Sequence, residues 1–543
     1  MKRALALVLA LGMALSMFAA CGSGNGGANG GVIANELVYN LSSEPQDLCS
    51  ITTAEGYSMT AIYMMVDGLL RRDENANPIP GIAQEWTFDE DTLTYTFNLR
   101  NDALWNNGEP VTAHDFVFAW RMLADSTTGA DYGYQSYIIK NGRAVFEGDL
   151  PKEELGVRAV DDYTLEVQLE QPCGYALFMF TFCCFFPVNE NIYTEYGDLY
   201  ATEAQYIGTN GMYNITEWAH EDHMTFERNE NYYDAQSVAV DKITFVMISD
   251  TNAATNAFKV GEIDILPQVA AEQAAALTAE GYRVAQYNNN SARFITFNMG
   301  SEIFSNENIR RAFAYGFSRE DLTGAVLADG SMPAYSFCPE IFEGYEDTFI
   351  VEAGAPFFDD ANIATATDYL ELGMQELGIT REDFAGISII VDENSIYQKV
   401  VAYLLEQWKI NLGVEITAEV MPKKSRIERM YDEHSFDIGY TTWGPDYNDP
   451  NTFLDMLMTD GDNNGWDYSN AQYDELLALA AAETDVETRM AYLAECEQIV
   501  SGQCLAAPMY FECANYVVSD QVVNYVPVGW GMPLRYTSVA IGE

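Results

Sequence analysis

Positive charge is scarce in this chain. Its 543 residues carry 27 lysines and arginines against 82 aspartates and glutamates, a formal net charge of −55. That balance disfavours nucleic acid and anionic membrane surfaces as partners, and spread along the chain it reads as a solvated acidic surface. Histidine is scarcer still, with four in all. His220 and His223, with Glu221 and Asp222 between them in "HEDH", could ligate a metal. The flanks "GMYNITEW" and "MTFERNENY" read as two strands, so a hairpin turn is the stronger reading, and neither a metal nor any other cofactor is expected. Gly-x-Ser-x-Gly, His-Glu-x-x-His and phosphate-loop motifs are absent, which argues against an enzyme. Beyond the first twenty residues no apolar run approaches the roughly 20 residues of a membrane span.

Nine cysteines are present. None has zinc-finger spacing. Apart from Cys21 they are Cys49, Cys173, Cys183, Cys184, Cys338, Cys496, Cys504 and Cys513. An even number permits disulfides in an exported protein, but eight allow about a hundred pairings and no framework spacing is visible. Cys183 and Cys184 sit in "FMFTFCCFF", which looks like buried core.

What is present begins at the N-terminus. Lys2 and Arg3 precede an apolar run, Ala4 to Ala20, that ends in "FAAC". This pattern reads as a secretory signal over residues 1–20. A cysteine directly after the small pair resembles a bacterial lipoprotein signal, in which Cys21 is lipidated; Phe18 departs mildly from that pattern, and an ordinary secretory signal is the alternative. The Gly- and Asn-rich stretch from Cys21 to residue 31 would be a tether of roughly 17 Å. The body is then expected outside the cell, lipid-anchored to the membrane, or in the periplasm of a host with an outer membrane.

Hydrophobic residues make up 48% of the chain and aromatics 13%, ample for large cores. "DTLTYTFNLR" and "DDYTLEVQLEQP" alternate with the period of two of half-buried strands. Thr112 and Asp115 have capping-box spacing before Phe116, Trp120 and Leu123. "KITFVMI" reads as a strand and "ATNAFKVGEIDIL" as a helix and short strand. "NIRRAFAYGF" and "YQKVVAYLLEQWKINLG" are amphipathic helices, "VEITAEV" a strand, "AQYDELLALAAAET" a helix, and "APMYFECANYVVS" closes the chain as strand. Strands and helices mix without repeat, which favours α/β domains with mixed sheets.

Several motifs, in order, resemble the large bacterial extracellular solute-binding proteins of the oligopeptide- and dipeptide-binding group, family 5. They include "LWNNGEPVTAHDFVFAW", "GTNGMYNITEW", "FERNENYY", "FKVGEIDIL", "IRRAFAYGFSREDL", "EQWKINLGV" and "WGPDYNDPNTFLDML". The resemblance runs from about Glu36 to near the C-terminus. It implies a two-lobed, type II periplasmic-binding-protein-like α/β fold with mixed sheets. Lobe one would be discontinuous (32–57, 207–298 and 509–543), an extra domain would fill 58–206, and lobe two 299–508. It further implies a monomer that binds a peptide ligand and delivers it to the permease subunits of an ABC importer.

The stretch "TTWGPDYNDP" (441–450) carries the sharpest implication. In peptide-binding members the aspartate three residues after the tryptophan receives the peptide α-ammonium, here Asp446, with Trp443 as an apolar wall. A turn and a catalytic acid are the alternatives. Asp449 reads as a turn-former before Pro450. Thr442 and Tyr440, on the strand leading in, are further ligand candidates. Some tripeptide-preferring relatives carry arginine at the Tyr440 position to hold the ligand carboxylate, so peptide length is left open. Glu44 in "SSEPQ" falls where members lend a strand edge to the ligand, and Gln268 and Arg293 lie on stretches that face the cleft in relatives. Arg293 could meet a carboxylate or form a surface salt bridge. Other members bind nickel, haem or sugars, and a peptide sensor without transport duty is a further reading.

Overall fold

The structure is a computed structural model and describes residues 35–53, 56–73, 77–445, 447–461, 463–483, 485–527 and 539–542. Cys21 and the tether lie outside the described residues, as does Asp446.

Along the chain, β1 (Glu36–Asn40) opens a large sheet, and β2 (Leu70–Arg72) and β3 (Pro78–Pro80) form a short ribbon. β4 (Ala83–Asp89), β5 (Thr94–Leu99), β6 (Val157–Asp161) and β7 (Thr164–Gln168) make a separate four-stranded sheet in the order β4-β5-β7-β6. The Ala113–Ala124 helix belongs to this part of the chain, and its first turn is closed by Asp115, whose carboxylate accepts the Thr112 N–H at 2.7 Å. β8 (Tyr213–Ala219) and β9 (His223–Arg228) form a hairpin, and the "HEDH" segment is its turn, as the flanking strand patterns implied.

β10 (Lys242–Val246), β11 (Ile265–Val269), β12 (Val284–Phe297), β13 (Met332–Pro333), β14 (Ser388–Asp392), β15 (Thr417–Met421), β16 (Ile438–Trp443) and β17 (Ala506–Val518) complete the large mixed sheet. Its order is β15-β14-β16-β12-β17-β11-β1-β10-β9-β8, with β13 paired to β17. Two sets of parallel strands lie on either side of its centre, and the antiparallel β9 and β8 extend one of them to the sheet edge. β1 is parallel to β10 and β11, and β14 is parallel to β15 and β16. The long antiparallel pair β12 and β17 joins them, so both halves hang on the same two strands. Their register shifts between Asn288 and Ala292, where Asn290 takes a positive φ of 63°.

Among the described residues two large apolar cores and two smaller clusters pack on this spine. The first large core runs from Leu37 through Trp120 and Phe180 to Phe453 and Trp466. The second packs Phe304, Phe313 and Trp408 under β14 and β16. The Ser395–Leu412 helix shows why that second core forms. Val400, Val401, Leu404, Trp408 and Leu412 fall on one face and are buried, the period of a helix laid on a sheet. Asn394 caps its start by accepting the N–H groups of Ile396 and Tyr397, and Gly413, at φ 67°, ends it in a left-handed turn. Cys183 and Cys184 lie in the first core, and all eight described cysteines are free thiols.

Candidate functional site

In open α/β sheets ligands settle beyond the carboxyl ends of parallel strands, where loops and helix N-termini converge. Both halves of this sheet have such an end. On the β14/β16 side the carboxyl ends are Asp392 and Trp443, followed by the capped start of the Ser395–Leu412 helix and by the 444–455 segment.

Arg293 on β12 is register partner to Thr442 on β16 and to Tyr510 on β17. The two-residue period of strands therefore puts Arg293, Thr442, Tyr440, Tyr510 and Glu512 on one face. Tyr440 is 1% exposed, its hydroxyl bonds that of Tyr510 at 2.8 Å, and its ring stacks on Tyr397 at 4.8 Å. Arg293 forms an ion pair with Glu512 and sits 5.3 Å from the centre of the Tyr397 ring. Burial works against the Arg293 charge, but Glu512 beside it holds its pKa above the ordinary arginine value. Arg293 thus stands in a salt bridge whose cation is buried and whose anion is partly exposed.

Trp443 is half-buried and donates its indole N–H to the Thr452 carbonyl at 2.8 Å, which ties the strand end to the Asn451–Leu454 helical turn. Beyond Asp446 the segment is firmly held. The Tyr447 hydroxyl donates to Asp455 at 3.2 Å and accepts from the Asn451 amide at 2.9 Å. Asp449 accepts the Asn451 N–H at 3.0 Å, the turn read from sequence, and also takes Arg489 in a two-pronged pair at 2.6 and 3.0 Å. Across from this segment, Tyr175 stacks on Tyr447. Gly174 precedes it without a side chain, and a Cβ there would come 3.1 Å from the Arg489 Nε.

The β1/β11 side carries the remaining candidates. Glu44 follows the carboxyl end of β1 and Gln268 lies near that of β11. Glu44 is already engaged: its carboxylate accepts the Trp218 indole N–H at 3.0 Å and the Glu221 N–H at 2.8 Å, and pairs with His220 Nδ1 at 2.6 Å. Gln268 is exposed, at an irregularity in the β11/β17 register. Tyr287 on β12, Tyr516 on β17 and Tyr525 form an aromatic row from the junction toward this side, with centroids 5.9 and 5.3 Å apart.

The structure thus brings Arg293, Thr442 and Tyr440 together on one face, sets Trp443 on the opposite face at the end of the same strand, and places Glu44 and Gln268 at the other strand ends. Sequence reading missed Glu512, Tyr397, Tyr510, Tyr175 and Arg489. Only Glu512 left a signal, as a charge inside the apolar run "APMYFECANYVV". Among the described residues no group of three or more His, Cys, Asp or Glu could hold a metal, and no helix is long and apolar enough to cross a membrane.

This architecture, two halves joined by shared strands with a separate sheet inserted between β1 and β8, defines a two-lobed solute-binding protein. The model of the bacterial extracellular solute-binding proteins, family 5, matches residues 77–465, and the chain belongs to that family. It is 31% identical over 498 residues to the dipeptide-binding protein DppE of Bacillus subtilis, covering 91% of this chain and 90% of that one. It is 30% identical to the oligopeptide-binding protein OppA of the same organism, over 91% and 90% of the two chains. Among solved structures, the substrate-binding domain of an oligopeptide ABC transporter from Bacillus anthracis matches with a TM-score of 0.77 at 30% identity, over 94% of this chain and 99% of that one. Peptide-bound OppA of Listeria monocytogenes matches with a TM-score of 0.76 at 29% identity, over 94% and 99%. Family members are solute-binding proteins, and this chain is one, not an enzyme.

Proposed function

We propose that this protein captures oligopeptides between its two halves and delivers them to an ABC importer, held on the outer face of the membrane through a lipidated Cys21. The observation that carries the reading is the arrangement of two sets of parallel strand ends on one shared pair, β12 and β17, in a chain whose relatives are named for dipeptide and oligopeptide binding. The lobes would meet at the Asn288–Ala292 register shift and close there by hinge motion, a movement for which binding proteins of this kind are a standard example. The part of the chain that carries the β4–β7 sheet would be the extra domain.

Asp446 is assigned as the anchor of the peptide α-ammonium. A buried ammonium is costly unless an anion meets it, and losing one partner of such a pair costs roughly 2–5 kcal/mol. The test is calorimetry on four combinations: wild type and Asp446→Ala, each with a free and an N-acetylated peptide. Each single change should weaken binding by about 30-fold or more. Both together should cost much less than the sum, since each removes the same contact. Equal binding of free and acetylated peptides to the wild type would refute the anchor. For the membrane anchor, Cys21→Ser should release the protein from membranes in its host.

A further inference from the structure

The charge pair Arg293–Glu512 has features that a purely structural ion pair does not need. The Arg293 side chain is 8% exposed, and its Nε is buried with no hydrogen-bond partner among the described residues. The Glu512 side chain is 26% exposed. The anion is therefore the accessible member, with the cation behind it. Both stand on the strands shared by the two halves, beside Thr442 at the carboxyl end of β16. Tyr440, where a carboxylate-binding arginine could have stood, contributes only a hydroxyl already committed to Tyr510.

We propose that Glu512 is a specificity-determining residue: it occupies Arg293 and presents its own carboxylate to the ligand segment that crosses β17, so that an acidic group there is disfavoured and a basic one favoured. The inference rests on the peptide-binding reading. A ligand carboxylate at that point would have to displace Glu512 from a desolvated guanidinium, leaving one of two anions unpaired. A lysine or arginine side chain would instead find a partly exposed carboxylate. Opposed charges across an interface act chiefly by rejecting the wrong partner.

Calorimetry tests this with a set of free-amine hexapeptides that carry Lys, Ala or Glu at each position in turn. In the wild type one position should favour Lys over Glu by about tenfold or more. In Glu512→Gln that ratio should fall to within about twofold while the other positions keep theirs. Arg293 is stranded in that variant, so the double variant Arg293→Met with Glu512→Gln, which removes the buried cation as well, guards against misfolding and should show the same loss. An unchanged Lys-to-Glu ratio at every position, in a variant that binds the Ala peptide, overturns the assignment and leaves peptide binding standing. Failure of the wild type to bind any peptide of the set overturns the peptide reading and this assignment with it.

Discussion

Tyr175 and Tyr447 stack face to face, with ring centroids 4.2 Å apart and planes 8° from parallel. Tyr175 belongs to the inserted part of the chain and Tyr447 follows Asp446 directly, so the stack joins the insert to the segment that carries the proposed anchor. Phe178 adds a second ring 6.3 Å from Tyr447. Such a pair contributes ~0.5–1.5 kcal/mol beyond its buried area. Tyr175→Ala is expected to weaken peptide binding by about two- to tenfold, because the segment loses its outer support. Tyr175→Phe, which keeps the ring, should bind within about twofold of wild type. Equal affinities for the Ala variant and the wild type by calorimetry would show that the stack does not position the segment.

Asp449 has a larger role than the turn that its sequence context announces. It is the anionic partner of Arg489, and the two side chains are 11% and 9% exposed. Removing one partner of a buried pair costs about 3–5 kcal/mol, since the other charge is left without compensation. Asp449→Ala should therefore melt well below wild type. Asp449→Leu combined with Arg489→Met should recover most of the loss, as apolar replacement of both partners often does. Thermal melting of the three proteins checks this. A single variant as stable as wild type would mean that Arg489 finds water on its own.

What could be read before the fold was known follows from how far each signal travels along the chain. The alternation in "TLTYTFNL", the capping-box spacing at Thr112 and Asp115 and the amphipathic run "YQKVVAYLLEQWKINLG" are local, and the elements stand where they pointed. The strand sharing of β12 and β17 joins residues more than two hundred positions apart, and no local pattern announces it. Glu512 and Arg489 escaped for the same reason: each is one charge whose meaning depends on a distant partner. The stack of Tyr175 on Tyr447 is likewise a product of tertiary packing.

The eight described thiols make no disulfide, although their even number would permit bridges in an exported protein. Six are buried, and Cys173 and Cys513 are partly so. Burial pushes the Cys173 thiol up to about 12 and raises Cys513 as well, so neither is a ready thiolate at neutral pH. Native protein should react slowly with a thiol reagent, Cys513 first, and denaturation without reductant should release all eight. Melting should be the same with and without reductant. A reductant-dependent melting point, or peptide mapping that finds a bridge among these eight, would contradict the thiol assignment.

The contact between Glu44 and His220 makes one part of the structure sensitive to pH. The hydrogen bond from Glu44 raises the His220 pKa above its ordinary 6.5, with Glu203 assisting from 3.4 Å. A histidine whose folded pKa exceeds its unfolded one binds protons more tightly when folded. Its contribution is fully present below the unfolded value near 6.5 and is lost as pH rises through the higher folded value. The β8–β9 hairpin and the 42–46 segment should therefore hold together best in mildly acidic solution and loosen above neutrality. The ring is well exposed, so the effect should be small and weaken with salt. Titration of the His220 ring protons by NMR should give a midpoint above 6.5 in the wild type. In Glu44→Gln, which keeps an acceptor but removes the charge, the midpoint should move down toward that value. Identical midpoints in the two proteins would mean that the Glu44 carboxylate does not govern this histidine and that the segment is held by Trp218 and the Glu221 N–H alone.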